Sequence, residues 1–359
     1  MKRSLAFAAA VALLLSCGTR SAFDPAAVAD ATPAQVTRVE PLSWWTGMTM
    51  PLQVMVQGPG ISAFTVTAEG GLRVKEIHKA DSPNYLFIDL DVLSAGESFL
   101  VFTRGEECFK YAYQVREREK GSRERQSFTT ADMIYLIMPD RFASAFQDND
   151  EQWQGGEYID GSGHPWAVPA TPDAVNREDP MSRHGGDLQG IINHLDYVAD
   201  LGATAIWNTP LLLDNQPYES YHGYACADYY HIDPRFGDNA LFKTFVDKAH
   251  EKGLKVIMDI VTNHCGTAHW WMEDAPFKDW YHVNEPYMQM NALFSVYMDP
   301  HAAQIDRDRQ ESGWFVPSMP DMNLDNPFVL KYFQQWAVWW IEYAGLDGLR
   351  VDTYPYNEP

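Results

Sequence analysis

Cysteine is scarce in this chain, with four residues in 359, at positions 17, 108, 226 and 265. Cys17 lies in a leader segment, and the odd, scattered remainder (Cys108, Cys226, Cys265) supplies neither a disulfide framework nor metal-ligand spacing. Basic charge is also short: 27 Lys and Arg stand against 49 Asp and Glu, a formal net charge of -22. That balance repels nucleic-acid phosphates and anionic membrane surfaces, so a neutral or cationic partner is expected and a nucleic acid is not. The one long apolar run, residues 5–15, is too short for a stable membrane anchor. Internal repeats and low-complexity tracts are missing. Aromatic residues, by contrast, are plentiful, with 12 Trp and 18 Tyr. Flat apolar faces with polar tips serve large cores and sugar rings alike, and composition does not choose between the two.

Met1, Lys2 and Arg3 followed by the apolar run have the form of an export signal, so residues 1–22 are set aside from the fold. Leu14, Leu15, Ser16 and Cys17 resemble the bacterial lipobox, whose Cys becomes the lipidated first residue of the mature chain. An ordinary cleaved signal with an incidental Cys17 is the alternative. The expected location is the periplasm or cell envelope, with membrane contact only through a lipid anchor.

Residues 24–115 show short alternating runs at 52–56, 63–68, 85–90, 98–103 and 109–115, broken by Gly58-Pro59-Gly60 and Gly70-Gly71. This pattern predicts a small antiparallel, immunoglobulin-like β-sandwich. Residues 116–125 (REREKGSRER) are almost wholly charged and read as a solvated linker. From residue 126 onward the period changes. Continuous apolar runs at 133–138, 203–207, 255–259 and 345–352 alternate with amphipathic stretches at 188–201, 240–252 and 328–343. Apolar strands alternating with helices predict parallel β/α units, four of them, as in the first half of a (β/α)8 TIM barrel. Each strand turns polar at its C-terminal end, where such barrels carry their chemistry.

The fourth run ends in Gly348-Leu349-Arg350-Val351-Asp352. Side chains two apart on a strand share a face, so Arg350 and Asp352 are expected together, and a guanidinium favours the ionised form of a neighbouring carboxylate. Such a pair suits a carboxylate nucleophile and equally a structural ion pair capping a strand. The third run brings Asp259, Asn263 and His264 to the same end.

DIVTNH at 259–264 and GLRVDT at 348–353 resemble two signature regions of the alpha-amylase superfamily, glycoside hydrolase family 13. GYACADYYHIDPRFG at 223–237 and MPDRF at 138–142 resemble its other landmarks, in the family's order. The sandwich before the barrel, with Trp44-Trp45-Thr46-Gly47-Met48, is similar to the neopullulanase, cyclomaltodextrinase and starch-utilisation amylase group. The resemblance implies a retaining hydrolase of alpha-1,4-glucans such as starch, maltodextrin, pullulan or cyclodextrin. It casts Asp352 as nucleophile and Arg350 as its positioning partner. Asp259, His222, Tyr224 and His264 would line the sugar subsite, with Asn263 supporting the loop. The family's general-acid Glu belongs to a fifth strand, which the chain does not reach, so this chain alone is expected to be inactive. A non-catalytic glucan-binding lipoprotein and an alpha-glucan transglycosylase are the alternatives, and a homodimer through the N-terminal domain stays open.

No cofactor is required by this reading. Related enzymes hold calcium near the PDRF motif, and here Ser144 and Phe146 stand at two ligand positions while Asn149, Asp150, Gly185 and Asp187 remain. Calcium prefers six to eight oxygens, so the site is expected to be weak or absent. Met319-Pro320-Asp321-Met322-Asn323 matches a group signature with Asp where neopullulanases usually carry Lys. The insertion 265–322 holds Trp270, Trp271, Trp280, Tyr281, Trp314 and Phe315, which suit either a sugar-stacking wall or the insertion's own packing.

Overall fold

The computed structural model describes residues 35–145, 155–159 and 165–357. The segment read above as an export signal, with Cys17, and the residues Phe146, Asn149 and Asp150 lie outside the described residues.

The N-terminal domain comprises β1 (Arg38–Glu40), β2 (Ser43–Trp45), β3 (Leu52–Gln57), β4 (Thr65–Glu69), β5 (Leu72–Lys79), β6 (Tyr85–Val92), β7 (Gly96–Arg104) and β8 (Glu107–Arg116). They form two four-stranded sheets, ordered β1-β3-β6-β5 and β2-β8-β7-β4. Pairing is antiparallel throughout except between β2 and β8, which run parallel, a departure from the all-antiparallel expectation. Three strands had no sequence signal of their own. β1 and β2 are three residues each, and β5 is a charged edge strand with a bulge between Val74 and Glu76 that breaks its alternation.

The charged stretch after β8 is largely exposed, yet it is fastened to the second domain. Arg118 grips Glu342 through two nitrogens at 2.6 and 3.1 Å, and Arg125 donates to the Ile341 carbonyl at 3.0 Å.

In the second domain, β9 (Ile134–Ile137), α1 (Pro139–Phe142), β10 (Gly156–Ile159), β11 (Pro165–Val168), α2 (Leu188–Asn193), α3 (Leu195–Asp200), β12 (Ala205–Asn208), β13 (Leu212–Asp214), β14 (Cys226–Ile232) and α4 (Asn239–Glu251) lead to β15 (Lys255–Val261). The insertion contributes α5 (Ser295–Met298) and α6 (Gln304–Ser312), and α7 (Pro327–Ala344) precedes β16 (Gly348–Asp352). β9, β12, β15 and β16 pair in chain order, all parallel, as the first four strands of a (β/α)8 barrel. One face of this sheet packs on helices through Ile137, Ile206, Val256, Met258 and Ile260, all buried.

The single helix expected over 188–201 is two. His194 breaks it: its Nδ1 donates to the Gly190 carbonyl at 2.8 Å, taking the acceptor that its own backbone N–H would use. α7 behaves as its sequence predicts, with Asn326 accepting from the Phe328 N–H at 2.9 Å, Pro327 in the first turn, and Gly345 at φ 80 ending it. Among the described residues no helix is long and apolar enough to cross a membrane.

Candidate active site

The register of the parallel sheet sets the site. Asp259 on β15 lies directly opposite Arg350 on β16, and Val261 opposite Asp352, so both acidic residues and the guanidinium project from one face at the strands' C-terminal ends. Arg350 Nη1 bridges the two carboxylates, 2.5 Å from Asp352 Oδ1 and 3.1 Å from Asp259 Oδ1. Trp207 on β12 belongs to the same face. Its indole N–H donates to Asp259 Oδ2 at 2.9 Å, and its ring lies 4.9 Å from the Arg350 guanidinium carbon. Tyr224 completes the set, its hydroxyl 3.1 Å from the same Asp259 oxygen. Burial pushes the Asp259 carboxyl up to about 6, against the pull of Trp207 and Arg350. Its three donors all call for an acceptor, so Asp259 is the ionised counter-charge that holds Arg350.

Trp207 is a site residue that sequence reading missed, because an aromatic inside an apolar run carries no mark of function. What puts it on this face is its register opposite Ile257, two residues before Asp259, a property of the folded sheet that leaves no signal in the sequence.

His222 and Tyr224 flank Gly223, which has φ 78 and would drive a Cβ to 2.2 Å from the Pro210 carbonyl oxygen. Only glycine turns the chain this tightly against that carbonyl. The backbone N–H of Tyr224 donates to His222 Nδ1 at 2.9 Å, so this nitrogen bears a lone pair and Nε2 carries the proton. Asp214 Oδ2 lies 3.4 Å from the same nitrogen, too far to compete. Burial, reinforced by Arg183, lowers His222 to about 4 and keeps the ring neutral. His264 is fully buried, stacked on Phe315 at 5.1 Å, and likewise lowered to about 4 by burial. Asn263 lies beside it, with its amide oxygen 3.0 Å from His264 Nδ1.

The family description "Alpha amylase, catalytic domain" matches residues 136–358, more than half of the chain. The chain belongs to the alpha-amylase family. The description "Cyclomaltodextrinase, N-terminal" matches residues 38–119, the sandwich. A cyclomaltodextrinase from Geobacillus thermopakistaniensis is 38% identical over 228 residues, covering 61% of this chain and 33% of the relative. Neopullulanase 2 of Thermoactinomyces vulgaris is 34% identical over 261 residues, covering 68% of this chain and 37% of the relative. The chain thus spans about a third of the length of these curated relatives. The crystal structure of an Anoxybacillus alpha-amylase superposes with a TM-score of 0.51 at 34% identity, over 63% of this chain and 42% of that one.

Within this alpha-amylase frame the aromatic insertion divides in two. Trp271 and Trp280 are completely buried against Tyr332 of α7, Phe87 of β6 packs on Trp280, and Trp270 stacks on Tyr85. Trp270 and Trp280 join the insertion to the sandwich, while Trp271 packs on Tyr229 of β14 and Tyr332 of α7. Trp314 donates its indole N–H to the His282 carbonyl at 2.8 Å, and Phe315 is the member that meets a site residue, His264.

The described part of the family's calcium position offers a poor fit. Asp187 is wholly buried and caps α2: one oxygen accepts from the Gly190 N–H at 2.6 Å, the other from the Ala145 N–H at 2.8 Å. The Gly185 N–H is bonded to Asp140 at 3.1 Å, leaving that residue its carbonyl as a ligand. These partners suit a helix cap better than a cation shell, and no step of the chemistry is routed through a metal.

Proposed function

We propose that this chain forms the nucleophile side of an exported, retaining hydrolase of alpha-1,4-glucosidic bonds in starch, maltodextrin, pullulan or cyclodextrin. The observation that carries the reading is the Arg350 guanidinium shared by Asp352 and Asp259 at the strand ends. Of the two carboxylates, Asp259 has a fully buried side chain and is held by Trp207, Tyr224 and Arg350, whereas the side chain of Asp352 is 16% exposed. Asp352 is therefore the one able to reach an anomeric carbon. In such a mechanism its oxygen bonds to that carbon as the glycosidic C–O bond breaks and the leaving oxygen takes a proton from a second carboxyl group. Water then hydrolyses the glycosyl ester with retention. Asp259 is no candidate for the proton donor, because its oxygens already accept from three donors. The two neutral imidazoles, His222 and His264, supply uncharged hydrogen-bonding groups suited to sugar hydroxyls. Lipidation at Cys17 belongs to the same proposal.

In the active protein, Asp352→Asn is expected to lower maltotriose turnover by on the order of 1000-fold or more, with affinity little changed. Turnover near the wild-type rate would remove Asp352 from the chemistry. Accumulation of products longer than maltotriose would reassign the wild-type enzyme as a transglycosylase.

A further inference from the structure

The sheet β1-β3-β6-β5 turns one side toward α7, and at its β5 edge that side carries charge in rungs. Arg73 of β5 stands opposite Asp91 of β6, and the two form an ion pair at 2.7 Å. The next rung on this side is built differently. Regular pairing beyond Val74 and Leu90 would set Lys75 opposite Asp89, a second pair of opposite charges. The bulge between Val74 and Glu76 skips Lys75 and seats Glu76 there instead, so two carboxylates face each other across the ladder. Like charges directly opposite are destabilising on their own, and bulges commonly re-aim side chains toward a site.

His78 joins this rung from the same strand. Its Nε2 lies 3.0 Å from Asp89 Oδ2 and its Nδ1 lies 3.9 Å from Glu76 Oε1. Glu76, His78 and Asp89 each bring one potential ligand atom within 4.8 Å of the others, and among the described residues no other three His, Cys, Asp or Glu side chains gather so closely. The group is braced from behind. Gln53 of β3 donates from Nε2 to Asp89 Oδ1 at 2.9 Å, which leaves Oδ2 facing His78. The backbone of Gln53 is in turn held by the Gln335 amide of α7, at 2.6 and 2.8 Å. Phe328 of α7 meets the His78 ring edge to face at 5.4 Å. Lys331 of α7 lies within range of the Asp89 charge, yet among the described residues it forms no ion pair with either carboxylate.

We propose that Glu76, His78 and Asp89 bind a zinc ion at the edge of the seam between the sandwich and α7, apart from the site at the strand ends. One imidazole nitrogen and two carboxylate oxygens suit zinc, whereas calcium calls for six to eight oxygens. Tetrahedral zinc holds its ligands at about 2.0–2.2 Å, which spaces them roughly 3.3 Å apart. The separation of His78 Nε2 from Asp89 Oδ2 is already close to that value. Glu76 is exposed and closes the third side, with water as the fourth ligand. Zinc takes the place of the Nε2 proton, which passes to Nδ1 of the same ring, and the ion offsets the two opposed carboxylates. Gln53 orients the Asp89 ligand, as outer partners of metal ligands do. An ion bound there ties the edge strand β5 to β6 beside α7.

The test is calorimetric titration of the chelator-stripped chain with zinc chloride, read together with thermal melting. The wild type is expected to show one saturable zinc site, and excess zinc to raise its melting temperature. Glu76→Gln changes only an exposed side chain and is expected to weaken zinc binding by at least about tenfold. His78→Ala and Asp89→Asn should weaken it further and abolish the rise in melting temperature. His250→Ala removes a different His–carboxylate pair, the one with Asp347, and should leave zinc binding unchanged. The lack of a saturable zinc site in the wild type would overturn the proposal. Wild-type affinity in Glu76→Gln or His78→Ala would place the ion elsewhere and defeat it as well. Should His78→Ala not fold, Glu76→Gln still decides. Calcium chloride binding as tightly as zinc, and lost in the same variants, would contradict the assignment of the metal.

Discussion

Trp207 holds both signs of charge at the site: its N–H supports the Asp259 carboxylate and its ring lies under the Arg350 guanidinium. The two contributions can be separated. Trp207→Phe keeps an aromatic face for Arg350 and loses the N–H, while Trp207→Leu loses both. A hydrogen bond to a buried charge contributes about 1.5–3 kcal/mol, so in the active protein Trp207→Phe is expected to lower turnover at least roughly tenfold with smaller changes in affinity. Trp207→Leu should lower it further, and steady-state kinetics on maltotriose would read both. Equal losses in the two variants would show that the ring face contributes nothing. At this scale the sequence was legible where polar residues interrupt an apolar run, as at Asp259, Arg350 and Asp352. It was silent where the working residue is itself apolar-looking, as at Trp207. Asp321 was visible as a motif departure, but its contacts with Asn263 and His282, 58 and 39 positions away, were not.

At the scale of elements, the short strand β1 makes a buried polar junction between the sandwich and the barrel. Arg38 lies 2.6 Å from Asp228 of β14, and Glu40 accepts from the Tyr332 hydroxyl at 2.7 Å. His231 faces the same Asp228 at 2.9 Å. Glu40 is pushed up to about 7 by burial and by the Asp228 charge, partly opposed by Arg38. A carboxyl whose folded pKa is raised above its unfolded value gives stability that is complete below the unfolded pKa. That stability is lost as pH rises through about 7. Glu40→Gln keeps an acceptor for Tyr332 and cannot ionise. Its melting temperature is therefore expected to exceed that of the wild type by a few degrees at pH 8, with the difference closing as pH falls toward 5. A difference independent of pH would mean that Glu40 does not titrate in this window. Helix α7 was readable from the amphipathic stretch 328–343, whereas the break between α2 and α3 depends on one imidazole reaching back to the Gly190 carbonyl, which no periodicity records. Strand β5 escaped notice because a charged edge strand with a bulge has lost its alternation.

Across the whole molecule, the sandwich is joined to the barrel by buried aromatic contact as well as by charge. Tyr85 and Phe87 meet Trp270 and Trp280 of the insertion, and Arg118 holds Glu342 at the far end of α7. The aromatic surplus that composition left open between cores and sugars is thus spent in good part on joining domains. The order of four parallel strands was legible because buried parallel strands read as unbroken apolar runs. The assembly points one set of polar strand ends, those of β15 and β16, at a common site, and the account rests on Asp352 acting there as a nucleophile. The most direct measurement is covalent trapping with a 5-fluoro-alpha-maltosyl fluoride. Fluoride leaves without protonation, so the attack of a carboxylate oxygen on the anomeric carbon, with release of fluoride ion, is observed without a general acid. Mass spectrometry of the digested protein should place one glycosyl group on the peptide carrying Asp352 and none in Asp352→Asn. A glycosyl group on Asp259 or any other carboxylate, or equal labelling of Asp352→Asn, would contradict the account.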